Sequence, residues 1–316
     1  MPGGVPRLLA AGAAGAVGAV GPAGSRAPAD LAECAELLHR SEHEAAGSPP
    51  ECRTLLLGAL ARDEVPGYAY RVQDCHFWAH YGVRDRAVEG ARLTDFNRLA
   101  ELRLSEPFSP PLRPNATMLY VGAHRTGDDG AHFHRHHRLR VHLFEPSPSF
   151  FGDLQRALGG VPGFTLHNYG LGAQTRRMRL LVSGTASRTL ENRSDVGLAP
   201  GRVEEVLVRA AAEAAPDVLG GGAAELLHVN CEGCEYDVIE GISDAGHLAE
   251  IPQVQIATHM LDHQDPNVPF LEAMALSVQV SARRYCQMHG TLSRTHERAW
   301  GLPWVWERWV RRDLAR

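Results

Sequence analysis

The residues whose types and spacing best suit chemistry lie late in the chain. His259 ends a short apolar run, and an imidazole titrates near neutral pH, so it is a candidate general base. Its plainer reading is a hydrogen-bonded residue at a strand end. Glu232, within Asn230-Cys231-Glu232-Gly233-Cys234-Glu235, is a second candidate base, or a structural acceptor for the N–H groups of a turn. Cys231 and Cys234 have the C-x-x-C spacing of redox and zinc sites. A four-cysteine zinc site needs a second such pair, which the chain lacks, and a thioredoxin-like pair would precede a helix without acidic neighbours. Free thiols without metal are therefore expected. His132, His134, His136 and His137 also cluster, but on a helix they point around the cylinder, so a solvated, mildly basic helix is expected.

These groups need strands and turns to hold them. The run Leu226 to Val229 passes through polar residues and a Gly into Tyr236, Val238 and Ile239 at helical spacing, which reads as strand, tight turn and helix start. In a parallel sheet such turns lie at the carboxyl edge, beside the crevice where ligands bind, so Asn230, Glu232 and Glu235 should face a cleft. Thr117 to Val121 behaves alike, running into Gly122-Ala123-His124-Arg125-Thr126-Gly127 and then Asp128 and Asp129. Strand, glycine turn and acidic helix start form the architecture of a nucleotide-binding turn. Val141 to Phe144 is a second strand ending in Glu145, and a carboxylate about 20 residues past such a turn accepts both ribose hydroxyls in dinucleotide folds.

The remaining pattern predicts a helix from Ser149 to Leu158 and a strand from Phe164 to Tyr169 that closes in Gly170-Leu171-Gly172. An extra strand over Arg179 to Ser183, a polar loop over Ser187 to Asn192 and a helix over Val203 to Ala214 follow. Val254 to His259 reads as a strand, Val268 to Val280 as a helix and Arg284 to His289 as a strand. The aromatic tail Trp304 to Trp309 reads as a packing element that closes the sheet, or as a stacking surface for substrate.

Four of these stretches together resemble the ordered motifs of the FkbM-type methyltransferases: the Gly122 turn, Phe144-Glu145-Pro146-Ser147-Pro148, Asn168-Tyr169-Gly170-Leu171-Gly172, and Leu226 to Gly241. The resemblance covers about residues 115 to 290. It implies an α/β fold, a doubly wound and mostly parallel seven-stranded class I methyltransferase sheet of Rossmann-like type. It implies S-adenosylmethionine as cofactor, with contacts at Gly122, Ala123, His124, Glu145 and Asn230, and with Asn168 and Leu171 at the adenine edge. Cys231 and Cys234 then occupy small-residue positions of the signature.

The chain departs from the family at Tyr120 and Asn230, each in place of Asp, and at Ala257, in place of an acid. The acid at the first position is associated in this class with the amino group of the cofactor, so Glu232 is the expected substitute acceptor. Two functions follow. The preferred one is O-methylation of a small molecule or sugar with His259 or Glu232 as base. The other is a binding module that kept the fold and lost transfer, as three neutralised carboxylates suggest.

The composition is that of an ordinary globular protein, with 44% hydrophobic residues in 316 and a net charge of −5. The basic residues are scattered and all 32 are Arg, which argues against nucleic acid as partner and removes lysine Schiff-base chemistry. Residues 1–29, rich in Ala, Gly and Pro, read as a low-complexity tail or a signal segment; the uncharged run from Leu8 to Val20 is too short and weakly apolar to span a bilayer. Residues 30–114 read as a helical N-terminal extension ending in a Pro-rich linker, and 115–316 as the methyltransferase-like domain.

Overall fold

A computed structural model of the chain describes residues 103–104, 108–183, 186–189, 202–259, 261, 280–281, 284–285, 287–302 and 306–315. Its centre is a seven-stranded sheet. Five strands are parallel, in the spatial order β3 (Phe164–His167), β2 (Arg140–Phe144), β1 (Thr117–Val121), β8 (Ala224–Val229), β9 (Gln253–Ala257). The hairpin of β10 (His296–Leu302) and β11 (Trp306–Arg311) completes it, with β11 antiparallel and inserted beside β9. This is the doubly wound, mostly parallel seven-stranded arrangement expected.

Strands buried on both faces need apolar residues at every position, and period-two alternation decides which face each one serves. Along β1, Met118 and Tyr120 join a cluster with Phe133 of α1 (Asp128–His137) and Leu154 of α2 (Pro148–Leu158). Leu119 and Val121 join the opposite cluster, with Ala211 and Ala214 of α3 (Ala211–Leu219) and Tyr236, Ile239 and Ile242 of α4 (Glu235–Asp244). Helices therefore cover both faces. A second sheet, in the order β4 (Gly170–Gly172), β7 (Arg202–Ala210), β5 (Arg176–Ser183), β6 (Ala186–Thr189), stands beside the first.

Several local expectations change. Gly170 to Gly172 does not close β3; it is a separate strand paired with β7. Arg202–Ala210 is a strand, and the helix expected from Val203 starts only at Ala211. Its burial alternates at Val206, and its ladder partner β5 supplies a tertiary reason that no local pattern carries. Ala186–Thr189 is a strand where a polar loop was expected. Residues 284–285 and 287–289 are helical, with Tyr285 and Met288 buried against the α4 side, where a strand was expected. The described part of the aromatic tail, from Trp306, forms a packing strand, with Trp306 and Trp309 buried in β11. Most of the expected helical N-terminal extension and all but Val280 of the helix expected from Val268 lie outside the described residues. Among the described residues no helix is long and apolar enough to cross a membrane.

Polar residues inside the sheet are paired. His228, buried mid-strand in β8, bonds the Gln255 side chain at 3.0 Å and Asp129 Oδ2 at 3.1 Å. Arg103 donates to both oxygens of the same Asp129, at 3.0 and 2.8 Å, and its guanidinium lies over the Trp306 ring. Burial opposes the Asp129 charge, but His228 and Arg103 outweigh it and hold the carboxyl well below the ordinary carboxylate range. Glu225 similarly accepts from Arg113 at 2.8 Å. Phe108 and Leu112 are buried, so the described part of the expected linker packs into the core. Removing one member of a buried pair leaves its partners uncompensated. Asp129→Ala should therefore lower stability by about 3 kcal/mol in urea denaturation at neutral pH. Because the depressed carboxyl contributes above its unfolded pKa, the gap from the parent should shrink as the pH falls below about 4.

Candidate functional site

The carboxyl edge of the parallel strands brings two turns into contact. In the β1–α1 turn, the Gly122 and Ala123 amides donate to the Phe144 carbonyl at 3.0 and 3.1 Å, which ties the turn to the end of β2. In the β8–α4 turn, the Asn230 amide donates to the Val121 carbonyl at 2.9 Å. Gly122 has φ +85°, and a Cβ there would overlap the Asn230 carbonyl oxygen. Only glycine permits both the conformation and the approach.

Glu145 stands at the end of β2 with 4% of its surface exposed. One carboxylate oxygen accepts from the His124 amide at 2.8 Å and the other from the Ser147 amide at 2.9 Å. Ser147 also caps α2 through Phe150 N and donates to Glu204 of β7 at 2.6 Å, so the second sheet braces this corner. Burial raises the Glu145 carboxyl to about 7, because the two amide hydrogen bonds only partly compensate. The Asn168 side chain donates to the Glu145 carbonyl at 3.0 Å, so the ends of β2 and β3 meet here. His124 packs edge-on against Phe150 at 4.4 Å, and its buried Nε2 has no hydrogen-bond partner among the described residues. Burial lowers its pKa.

The second turn centres on Glu235, whose carboxylate is fully buried. It accepts from the Gly233 amide at 2.9 Å, from the His259 amide at 2.6 Å and from His259 Nδ1 at 3.1 Å. His259 Nε2 lies 3.6 Å from Glu232, and Tyr236 donates to the His259 carbonyl at 2.7 Å. Burial works against an imidazolium here, but Glu235 and then Glu232 outweigh it, and the His259 pKa is raised. Nδ1 donates to Glu235, so Nε2 is the nitrogen that gains or loses the proton on the Glu232 side.

The expected free thiols are not found: Cys231 and Cys234 form a disulfide. Left-handed Glu232 (φ +56°) and Gly233 (φ +110°) fold the turn so tightly that the two Cα atoms lie 5.5 Å apart, within disulfide span. The histidine run is helical, and His132 and His136, one turn apart, have ring centroids 4.2 Å apart with planes tilted by 30°. No group of three or more His, Cys, Asp or Glu that could hold a metal occurs among the described residues.

Gly122, Ala123, His124, Glu145, Asn168 and Asn230 thus converge along one edge, with His259 and Glu232 beside the Asn230 turn. Leu171 stands apart, with its side chain buried in the core at 1% exposure. Of the departures, Tyr120 faces α1 and packs edge-on against His228 at 4.7 Å, and Ala257 pairs with Trp306 inside the sheet. Glu235 was expected at the cleft without a role, and its placement as the acceptor that holds His259 depends on a residue 24 positions away. Ser147 was legible only as part of the Phe144 to Pro148 motif, and Glu204 carried no local signal.

No family model matches the chain, and no curated protein matches it. Solved structures do. The SAH-bound methyltransferase PaMTH1 of Podospora anserina is similar at 10% identity and TM-score 0.38, over 92% of this chain and all of that one. A mutant of MtNAS in complex with S-adenosylmethionine is similar at 11% identity and TM-score 0.35, over 90% of this chain and 97% of that one. Fibrillarin of Aeropyrum pernix with natively bound S-adenosyl-L-methionine is similar at 11% identity and TM-score 0.33, over 68% and 74%.

The contact between the turns predicts that Gly122→Ala costs about 1–3 kcal/mol of stability, from backbone strain and the displaced Asn230 carbonyl. Chemical denaturation beside a control at the exposed Gly160 should show the difference.

Proposed function

We propose that the chain is an S-adenosylmethionine-dependent methyltransferase of the FkbM type, acting on an oxygen of a small molecule or carbohydrate. The observation that carries this reading is the Glu145 carboxylate, joined to the Gly122 turn through the His124 amide at the ends of adjacent strands. Two amide donors leave capacity on a buried carboxylate, as the upward shift to about 7 reflects, and two ribose hydroxyls suit that capacity. Glu232, with 43% of its side chain exposed, suits the cationic amino group of the cofactor and compensates for the acid missing at Tyr120. The Gly122 turn and Asn168 complete the contacts of the reading, with Asn230 supporting the Gly122 turn.

When bound, the cofactor would supply an electrophilic methyl on a sulfonium for transfer to an acceptor oxygen. The chain's part is to align the acceptor, exclude water and receive the acceptor proton. His259 takes that proton at Nε2 in its neutral form, while Glu235 fixes the tautomer through Nδ1. Since its pKa is raised, the neutral base becomes available only at higher pH than for an ordinary histidine. Turnover should rise as the pH climbs above the ordinary histidine range and fall in His259→Ala while cofactor binding is spared.

Calorimetric titration with S-adenosylmethionine and its demethylated product tests the reading. Glu145→Ala should keep the fold and weaken binding by about 1–3 kcal/mol, and Glu232→Gln should reduce binding and turnover together. An unchanged affinity in Glu145→Ala would sink the assignment, and tight binding without transfer to any acceptor pool would favour the binding module. A titration with methylthioadenosine, which has no group ionising near neutrality, isolates Glu145. Its affinity should rise severalfold between pH 6 and 8 as the carboxyl ionises, and this dependence should vanish in Glu145→Gln.

A further inference from the structure

The disulfide is part of neither the cofactor contacts nor the proton transfer, yet it sits where both are held. Cys231 directly follows Asn230, whose carbonyl packs on Gly122, and Cys234 is the N-cap residue of α4. Both cysteines are partly exposed. Cys231 Sγ lies 3.4 Å from Glu235 Oε2, the oxygen that accepts from Gly233, while Oε1 of the same carboxylate holds His259. A bridged sulfur carries no proton, so in this state it offers Glu235 nothing. As a thiol, Cys231 would be a donor within reach of that oxygen.

We propose that Cys231–Cys234 is a thiol–disulfide exchange site for small thiols or dithiols, and that its two states set how strongly Glu235 holds the proton of His259.

The chemistry is directional. A thiolate attacks Cys231 Sγ, the S–S bond breaks, and its electron pair leaves on Cys234 at the start of a ten-residue helix, where backbone N–H groups and the dipole stabilise a thiolate. The alternative, release of Cys231, would put a second negative charge beside Glu235, so Cys231 is the sulfur that is attacked. A second thiol group of the reductant then attacks the mixed disulfide, releasing Cys231, which takes a proton and donates it in a hydrogen bond to Glu235 Oε2. Two thiols are oxidised to one disulfide, and the protein disulfide is reduced to two thiols. With a new donor on the carboxylate, less of its charge is directed at His259, and the imidazolium is held less firmly in the reduced state. Nothing in this depends on which ligand the cleft takes.

The test uses the full chain under native conditions. Dithiothreitol is added in steps, accessible thiols are alkylated, and the peptide holding Cys231 and Cys234 is mapped by mass. Both cysteines should become alkylated while the circular dichroism spectrum stays folded. With reduced glutathione as the attacking thiol and rapid alkylation, the mixed disulfide trapped from the intact bridge should carry glutathione on Cys231 and the alkyl group on Cys234 several times more often than the reverse. The His259 ring resonance, identified by its loss in His259→Gln, should titrate at lower pH in the reduced protein than in the oxidised one. A bridge that resists dithiothreitol until the protein unfolds, or a reduced protein in which His259 titrates as before, would overturn the proposal.

Discussion

The approach of the Asn230 carbonyl to Gly122 is the contact on which the rest of the edge depends. Parallel pairing of β1 with β8 ends both strands at the same level, with Val121 opposite Val229. Two turns leaving adjacent strands at one level collide unless one lacks a side chain, and Gly122 is where the chain yields. From that point the turns diverge, one towards Glu145 through the His124 amide and the other towards Glu235 and His259. The spacing between the Glu145 carboxylate and the His259 imidazole is thus set by backbone packing rather than by flexible side chains.

Behind this edge the fold accepts an unusual load of buried charge. His228 replaces an apolar residue at the centre of β8 and is tolerated because Asp129 and Gln255 take both ring nitrogens. On the opposite face, Glu307 is fully buried and bonded to Tyr285 at 3.1 Å, His289 at 2.9 Å and Arg298 at 3.2 Å. Burial opposes its ionisation, but His289 and Arg298 prevail and lower the carboxyl pKa. Such groups stabilise little in total, yet each accepts only partners in one geometry, so they fix how α1, β11 and Arg103 seat on the sheet.

The candidate site uses the same physics with less compensation. Asp129 is bonded by Arg103 and His228 and is held ionised, whereas Glu145 has only amide donors and is raised to about 7. His259 is the converse case, since two acidic neighbours favour its charged form despite burial. A carboxyl raised to about 7 and an imidazole with a raised pKa at one edge would let ligand binding and proton transfer respond to small changes around them.

Much of this was legible in the residues. Strand, glycine turn and helix start announce themselves locally, because a buried strand must be apolar and a close approach must be glycine; Thr117 to Gly127 and Leu226 to Ile239 show both. Glu145 at the end of β2 follows from the same reasoning. What local pattern could not decide were features set by distant partners. Arg202–Ala210 is a strand because β5 and β4 offer it ladders on both sides, not because of its own composition. Tyr285 and Met288 lie on a helix because that surface covers the α4 face of the sheet. The bridging of Cys231 and Cys234 follows from two consecutive left-handed residues, and the raised pKa of His259 follows from a carboxylate on another element. The sequence by itself determined which segments form the parallel sheet and where its turns must be tight. Only the tertiary structure decided which ionisable groups meet, because charge and hydrogen bonding depend on distance through space, and residues 24 positions apart have none fixed until the strands are in register.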